Sequence, residues 1–189
     1  MTNHISEKQP GKKKFRGIKG LYYNEDGISA IEFALIAPVM VLIYFAVIEL
    51  SFMMQVDRKV TTSTSTLGDL VARATIVTDD DLDDIFQATR MIMQPYALAN
   101  SRMRVSSLTE EDGSVTVDWS DDLNWTELVV GATVVVPANL VPEGGSVILA
   151  EVEYDYTSAL GYFIQSEKTL TDTFYLRPRS VESVTRDES

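Results

Sequence analysis

In this 189-residue chain the residues whose types and spacing point to a chemical event are Gly27 and Glu32, within Gly27-Ile28-Ser29-Ala30-Ile31-Glu32-Phe33-Ala34-Leu35-Ile36-Ala37-Pro38. Glu32 stands at the head of a strongly apolar run, and a carboxylate in hydrocarbon calls for a partner or a function. The plain reading is that it lies at a membrane interface and reaches back to water. The sharper reading is covalent. Hydrolysis of the bond after Gly27 would make Glu32 the fifth residue of a new chain, about one helical turn from a fresh α-amino group. The charged N-terminus of a neighbouring copy would then be an effective partner for the carboxylate.

Other candidate chemistry is weaker. The acids Asp79, Asp80, Asp81, Asp83 and Asp84 lack the alternating oxygen ligands, turn glycine and terminal glutamate of a calcium loop, so they read as a helix start and a solvated face. The single histidine, His4, lies in a basic leader, and there is no cysteine, so neither histidine catalysis nor a thiolate metal site is expected. Trp119 and Trp125 among acids suggest a sugar surface, but a core tryptophan followed by a polar loop explains them more simply. Arg177-Pro178-Arg179 reads as the close of a strand rather than an anion site. Asn124-Trp125-Thr126 fits a glycosylation acceptor only in a host with that machinery. No phosphate loop, nucleophile elbow or acid/base pair is present, so no enzyme activity, cofactor or metal is expected.

The Gly27/Glu32 pair is positioned by the longest apolar segment of the chain. Residues 28–54 carry two charges, Glu32 and Glu49, around a 16-residue uncharged run from 33 to 48. That is enough for one membrane helix if both glutamates sit near interfaces or find partners. The first 20 residues carry six basic side chains and one acid; from Gln55 onward there are 10 basic and 23 acidic residues. The positive-inside rule therefore puts the N-terminus in the cytoplasm and the body outside. A body at −13 repels phosphate, so nucleic acid is not an expected partner. A cleaved secretory signal would have a shorter apolar region followed by a small-residue site, and a buried core helix would need a larger surrounding body. Pro38 removes a backbone hydrogen bond and is expected to kink the helix or melt it locally.

The expected organisation is a basic leader (1–27), a membrane helix (28–54), a helical extension or linker (55–77) and an outer α+β domain (78–189). Val56, Val60, Leu67, Leu70, Val71 and Ala74 continue an apolar stripe, although the Thr/Ser run at 61–66 has poor helix propensity. Thr78 followed by three aspartates predicts an N-cap and a helix running toward Pro95. Alternating residues around Thr109-Glu110-Glu111-Asp112-Gly113 predict a hairpin with a five-residue loop. Residues 133–136, 147–157 and 170–176 are further strand candidates, the second being the clearest because Ile148, Ala150, Val152, Tyr154 and Tyr156 alternate with Glu151, Glu153 and Asp155. The fold class is α+β: a long N-terminal helix, one further helix and an antiparallel sheet of about four strands.

The basic leader, Gly27, Glu32, Phe33 and a long apolar helix containing Pro38 resemble the processing and assembly signal of type IV prepilin-like proteins. More narrowly, Gly27 to Pro38 resembles the N-terminal segment of the TadE-like minor pilins, or pseudopilins, of bacterial tight-adherence (Flp pilus) systems. The ending Phe174-Tyr175-Leu176-Arg177-Pro178-Arg179 is similar to the close of many such proteins. The resemblance implies that Gly27 and Ile28 flank the bond cut by a prepilin peptidase, and that Glu32, with Phe33 beside it, serves recognition or subunit alignment. It also implies other pilins and the inner-membrane Tad assembly platform as partners, and an inner-membrane location with the domain periplasmic or carried into the pilus. The alternatives are an uncleaved single-pass scaffold of the secretion apparatus and a membrane-tethered binding or adhesin module.

Overall fold

The computed structural model describes residues 26–138 and 140–187, so nearly all of the expected leader, His4 included, lies outside the described residues. The chain forms two compact units, Met1–Phe45 and Ala46–Ser189. A single helix, α1 (Asp26–Arg73), supplies the described part of the first unit and enters the second. Every described side chain of the first unit is exposed except half-buried Ala37, and α1 continues through Pro38. An 18-residue window of α1 has mean hydropathy 2.5, and none of it is buried. In water such a surface would be strongly unfavourable, and the helix is long and apolar enough to cross a membrane.

In the second unit α1 presents Val56, Val60, Leu67 and Val71 to the core. These positions recur every three to four residues and so share one helix face. The Thr/Ser run is helical despite its propensity. Thr62 and Thr64 donate their hydroxyls to the carbonyls of Arg58 and Val60, both at 2.8 Å, which satisfies them locally. Ser63 and Thr64 are fully buried, and their small size lets the helix lie close to the sheet.

After α1 come β1 (Ile76–Thr78), α2 (Asp79–Met91), a short 3₁₀ turn (Leu98–Asn100), β2 (Ser101–Glu111), β3 (Ser114–Leu123), β4 (Ser146–Tyr156), β5 (Lys168–Leu176) and β6 (Thr185–Asp187). Strands β2 to β5 form one antiparallel sheet in the order β3-β2-β4-β5, while β1 and β6 pair in parallel as a second small sheet. The α+β class and the four-stranded antiparallel sheet agree with the sequence. So does α2: Thr78 caps it by accepting from the Asp81 N–H at 3.2 Å, while the Asp81 carboxylate accepts from the Thr78 N–H at 3.0 Å. Lys59 Nζ on α1 donates to the carbonyl of Ile92 at 2.8 Å, closing the other end of α2 with a positive charge.

Two expectations are corrected. The hairpin loop has two residues, not five, because β2 extends to Glu111 and only Asp112 and Gly113 turn, both with positive φ (51° and 82°). That left-handed pair matches the twist of the flanking strands, so pairing runs to the turn. Residues 133–136 are not a strand. Val134 N–H bonds the carbonyl of Val115 at 2.9 Å and Thr133 bridges Thr116, but the pairing stops there and Val135 is 94% exposed. The segment instead lays Val134 and Val136, with Leu128 and Val141, over Leu108, Val117, Val147 and Leu149 on the sheet face away from α1.

The two sheet faces are sorted by a β-bulge. Pairing goes from Ser107↔Trp119 to Leu108↔Val117, leaving Asp118 as the extra residue. Val117 therefore packs in the small cluster, whereas Trp119 joins the main core with Met103, Val105, Ile148 and Val152.

Cross-strand ion pairs cover the acidic positions of β4. Arg102 bonds Glu153 and Asp155, and Arg104 pairs with Glu151 at 2.7 Å. The Arg102 hydrogen bond is the main reason the Asp155 carboxyl is held below its ordinary value of 3.8; the Thr78 backbone does the same for Asp81. Both groups have depressed folded values, so the stability they contribute is complete above 3.8 and is lost as pH falls through those values. Asp121 is shifted upward by burial and opposes this, its cost receding on acidification. The expected outcome is a Tm that declines as pH falls below about 4, with a shallower decline in Arg102→Gln, measured by thermal melts of the detergent-solubilised chain.

Candidate functional site

Gly27 and Ile28 both lie at the start of α1. Ile28 and Glu32 are four residues apart and so share a helix face, one turn from each other. Ile28, Glu32 and Phe33 are all exposed, Phe33 at 71%. Glu32 makes no hydrogen bond or ion pair with any described residue, and its exposed neighbours include Ile31, Leu35 and Ile36. Once this surface is in hydrocarbon, the carboxylate must either reach an interface or be met by a cation from another molecule.

The second carboxylate of the apolar run is treated in the opposite way. Positions 49, 53, 56, 60, 67 and 71 form one stripe on α1, so Glu49 continues the face that packs the core. Its side chain is only 1% exposed. Oε1 accepts the Ser158 hydroxyl and the Ile164 N–H at 3.3 Å, and Oε2 accepts the Phe163 N–H at 2.9 Å. Ser158 Oγ in turn accepts from the N–H groups of Leu160 and Gly161 at 3.3 and 3.2 Å. Gly161 takes φ 64°, which glycine adopts without strain, and this lets the loop fold back on the helix. Glu49 is thus the organising acceptor of the loop between β4 and β5. Sequence reasoning required a partner or an interface for it but did not name the loop. The legible signal was its place on the 3–4 stripe.

Beside this loop lies an open groove of about 410 Å³ lined by Phe52, Gln55, Tyr96, Asn100, Tyr154 and Tyr156. The lining is aromatic and carries no titratable pair suited to acid–base work. Among the described residues no cluster of three or more metal-ligating side chains exists. The two tryptophans do not form a platform: Trp119 is in the core, and Trp125 lies under the Arg104 guanidinium, 4.4 Å from the ring centre. Arg179 closes the end of β5 by bonding Asp69 and donating its N–H to the Ala72 carbonyl at 2.9 Å.

The apolar helix with an exposed glutamate at its head is also where the chain matches a known family. Residues 27–66 match the family model described as TadE-like protein. Over this segment the chain is similar to TadE-like proteins. No curated protein and no solved structure matches it. The match takes in Gly27, Ile28, Glu32, Phe33, Pro38 and Glu49, and it falls on the one stretch of the described residues that is a helix long and apolar enough to cross a membrane. All the strands and α2 lie beyond the matched segment.

Proposed function

We propose that the protein is a non-catalytic minor pilin or pseudopilin needed to assemble a Flp-type pilus, acting through α1. The observation that carries this is Glu32, exposed and unpaired among the described residues, five positions after Gly27 at the head of a helix with an apolar surface. Its cationic partner must come from outside the described chain. A prepilin peptidase cutting between Gly27 and Ile28 would supply one on each neighbouring subunit, and Phe33 beside Glu32 would extend the contact. In this reading the leader is cytoplasmic, α1 spans the inner membrane with a kink at Pro38, and the acidic domain stands in the periplasm, where it meets other pilins and the Tad platform.

Two measurements test the proposal. N-terminal sequencing of membrane-extracted protein should begin at Ile28 in cells with the peptidase and at Met1 without it; a Met1 end in both removes the cleavage step. Glu32→Ala should leave the protein in the membrane but abolish piliation, and unchanged piliation removes the role of the carboxylate.

A second reading is favoured by the placement of Gly27 and Ile28 within α1. A peptide bond inside a helical turn must fray before a protease can engage it. An uncleaved single-pass scaffold of the secretion apparatus would show the Met1 end and co-purify with the platform but not with sheared fibres.

A further inference from the structure

We infer that the β4–β5 loop is a membrane-docking element: seated on Glu49, it places Tyr162 and Phe163 in the outer interfacial layer of the bilayer that α1 spans. The inference rests on the reading of α1 as a span, and three observations within the second unit carry it beyond that reading.

The first is exposure. Tyr162 and Phe163 are 66% and 51% exposed, and they stand on backbone held from behind by the Glu49 carboxylate. Across the same part of the unit α1 exposes Val47, Leu50, Phe52 and Met54. Apolar side chains are thus exposed both on the loop and on α1 within five residues of Glu49.

The second is charge. No charged residue occurs from Thr157 to Ser166, nor on α1 from Leu50 to Val56. Elsewhere the domain is dense in acids, which anionic headgroups would repel. The uncharged patch is the face that approaches a membrane at least cost.

The third is depth. From Ile28 to Ile48 there are 21 residues, about 31 Å of helix, which matches a hydrocarbon core of about 30 Å. Glu49 then falls at the outer boundary, where tyrosine and phenylalanine rings settle among headgroups. A carboxylate at that level is costly unless it is satisfied, and the loop satisfies it with two N–H groups and a hydroxyl. Glu49 acts here as a positioning residue.

The absence of cysteine makes single-site spin labelling clean. Tyr162→Cys, Phe163→Cys, Leu42→Cys and Thr171→Cys in the full chain are each labelled and reconstituted into phosphatidylcholine/phosphatidylglycerol nanodiscs. Collision with oxygen, which enriches in lipid, is compared with collision with a nickel chelate, which stays in water. Leu42 tests the span itself and should favour oxygen; Thr171, exposed on β5, should favour nickel. Oxygen-dominated collisions at 162 and 163 support the proposal, as does their reversal to nickel-dominated collisions in Glu49→Ala with the Leu42 and Thr171 readings unchanged. Lipid at Leu42 with water at 162 and 163 overturns the docking loop alone, and water at Leu42 overturns the span as well. Shielding from both reagents at 162 and 163 overturns the lipid assignment in favour of a second protein copy on this face.

Discussion

Trp119→Ala is expected to destabilise the α+β domain by about 3–5 kcal/mol, lowering Tm by on the order of 10 °C. The indole is 6% exposed and is the largest side chain that β3 sends into the main core. Its Nε1–H donates to the carbonyl of Val184 at 2.7 Å, one residue before β6. Truncation therefore leaves a cavity under α1 and also an unpaired carbonyl at the start of the terminal strand. Arg186 does not compensate. It ties β6 to Asp79 and Asp121, but these bonds lie on the side chain beyond the lost anchor. Trp119→Phe separates the two effects: most of the packing is kept and only the hydrogen bond is lost, for about 1 kcal/mol. Chemical denaturation of the detergent-solubilised chain, followed by Trp125 fluorescence, reads both. A loss in Trp119→Ala no larger than in Trp119→Phe would mean that the cavity is refilled and the core account is wrong.

Gly68→Leu is expected to cost about 3 kcal/mol or more, at the top of the range for overpacking. A Cβ built on Gly68 meets Cδ1 of Leu176 on β5 in hard contact and lies 3.2 Å from Cβ of Ala150 on β4. The helix crosses the sheet here with no room for a side chain. Because the first obstacle is the far end of a flexible leucine, Gly68→Ala has a different outcome. The gain of about 1 kcal/mol in helix propensity offsets the displacement of Leu176, and the change should be near neutral. Leu176→Val opens the space, so Gly68→Ala in that background should turn stabilising. The coupling is measured by a double-mutant cycle of Tm and denaturation midpoints. Additive single and double variants would show that the two residues do not compete for the same volume.

Much of this protein was legible because its signals are local. The hydropathy of residues 28–54 declares the apolar part of α1, and Thr78 with Asp81 marks the start of α2 within four residues. Ile148 to Tyr156 announce β4 by alternation alone, and their buried and half-buried pattern follows it. The Gly27/Glu32 spacing is likewise readable, since it depends on sequence distance and on a hydrophobic neighbourhood. Weaker local signals misled. A loop rich in acids looked longer than it is because Glu110 and Glu111 are poor strand formers, yet with Thr109 they pair to the end of β2. Thr133 to Val136 looked like a strand because β-branched residues favour one, but its backbone bonds to the edge strand β3 end at Val134.

By itself, then, the sequence determined the elements: an apolar helix with a glutamate at its head, a capped second helix, and strands with one face to bury. The tertiary structure alone decided which groups meet. The bulge at Asp118 turned Trp119 into the main core, Gly68 became a close approach of helix to sheet, and Glu49 was enclosed by a loop more than a hundred residues away. The physical reason is range. Helix and strand preferences arise from neighbours within about four residues, whereas a close approach or a satisfied buried carboxylate depends on atoms brought together only after the sheet has closed on α1.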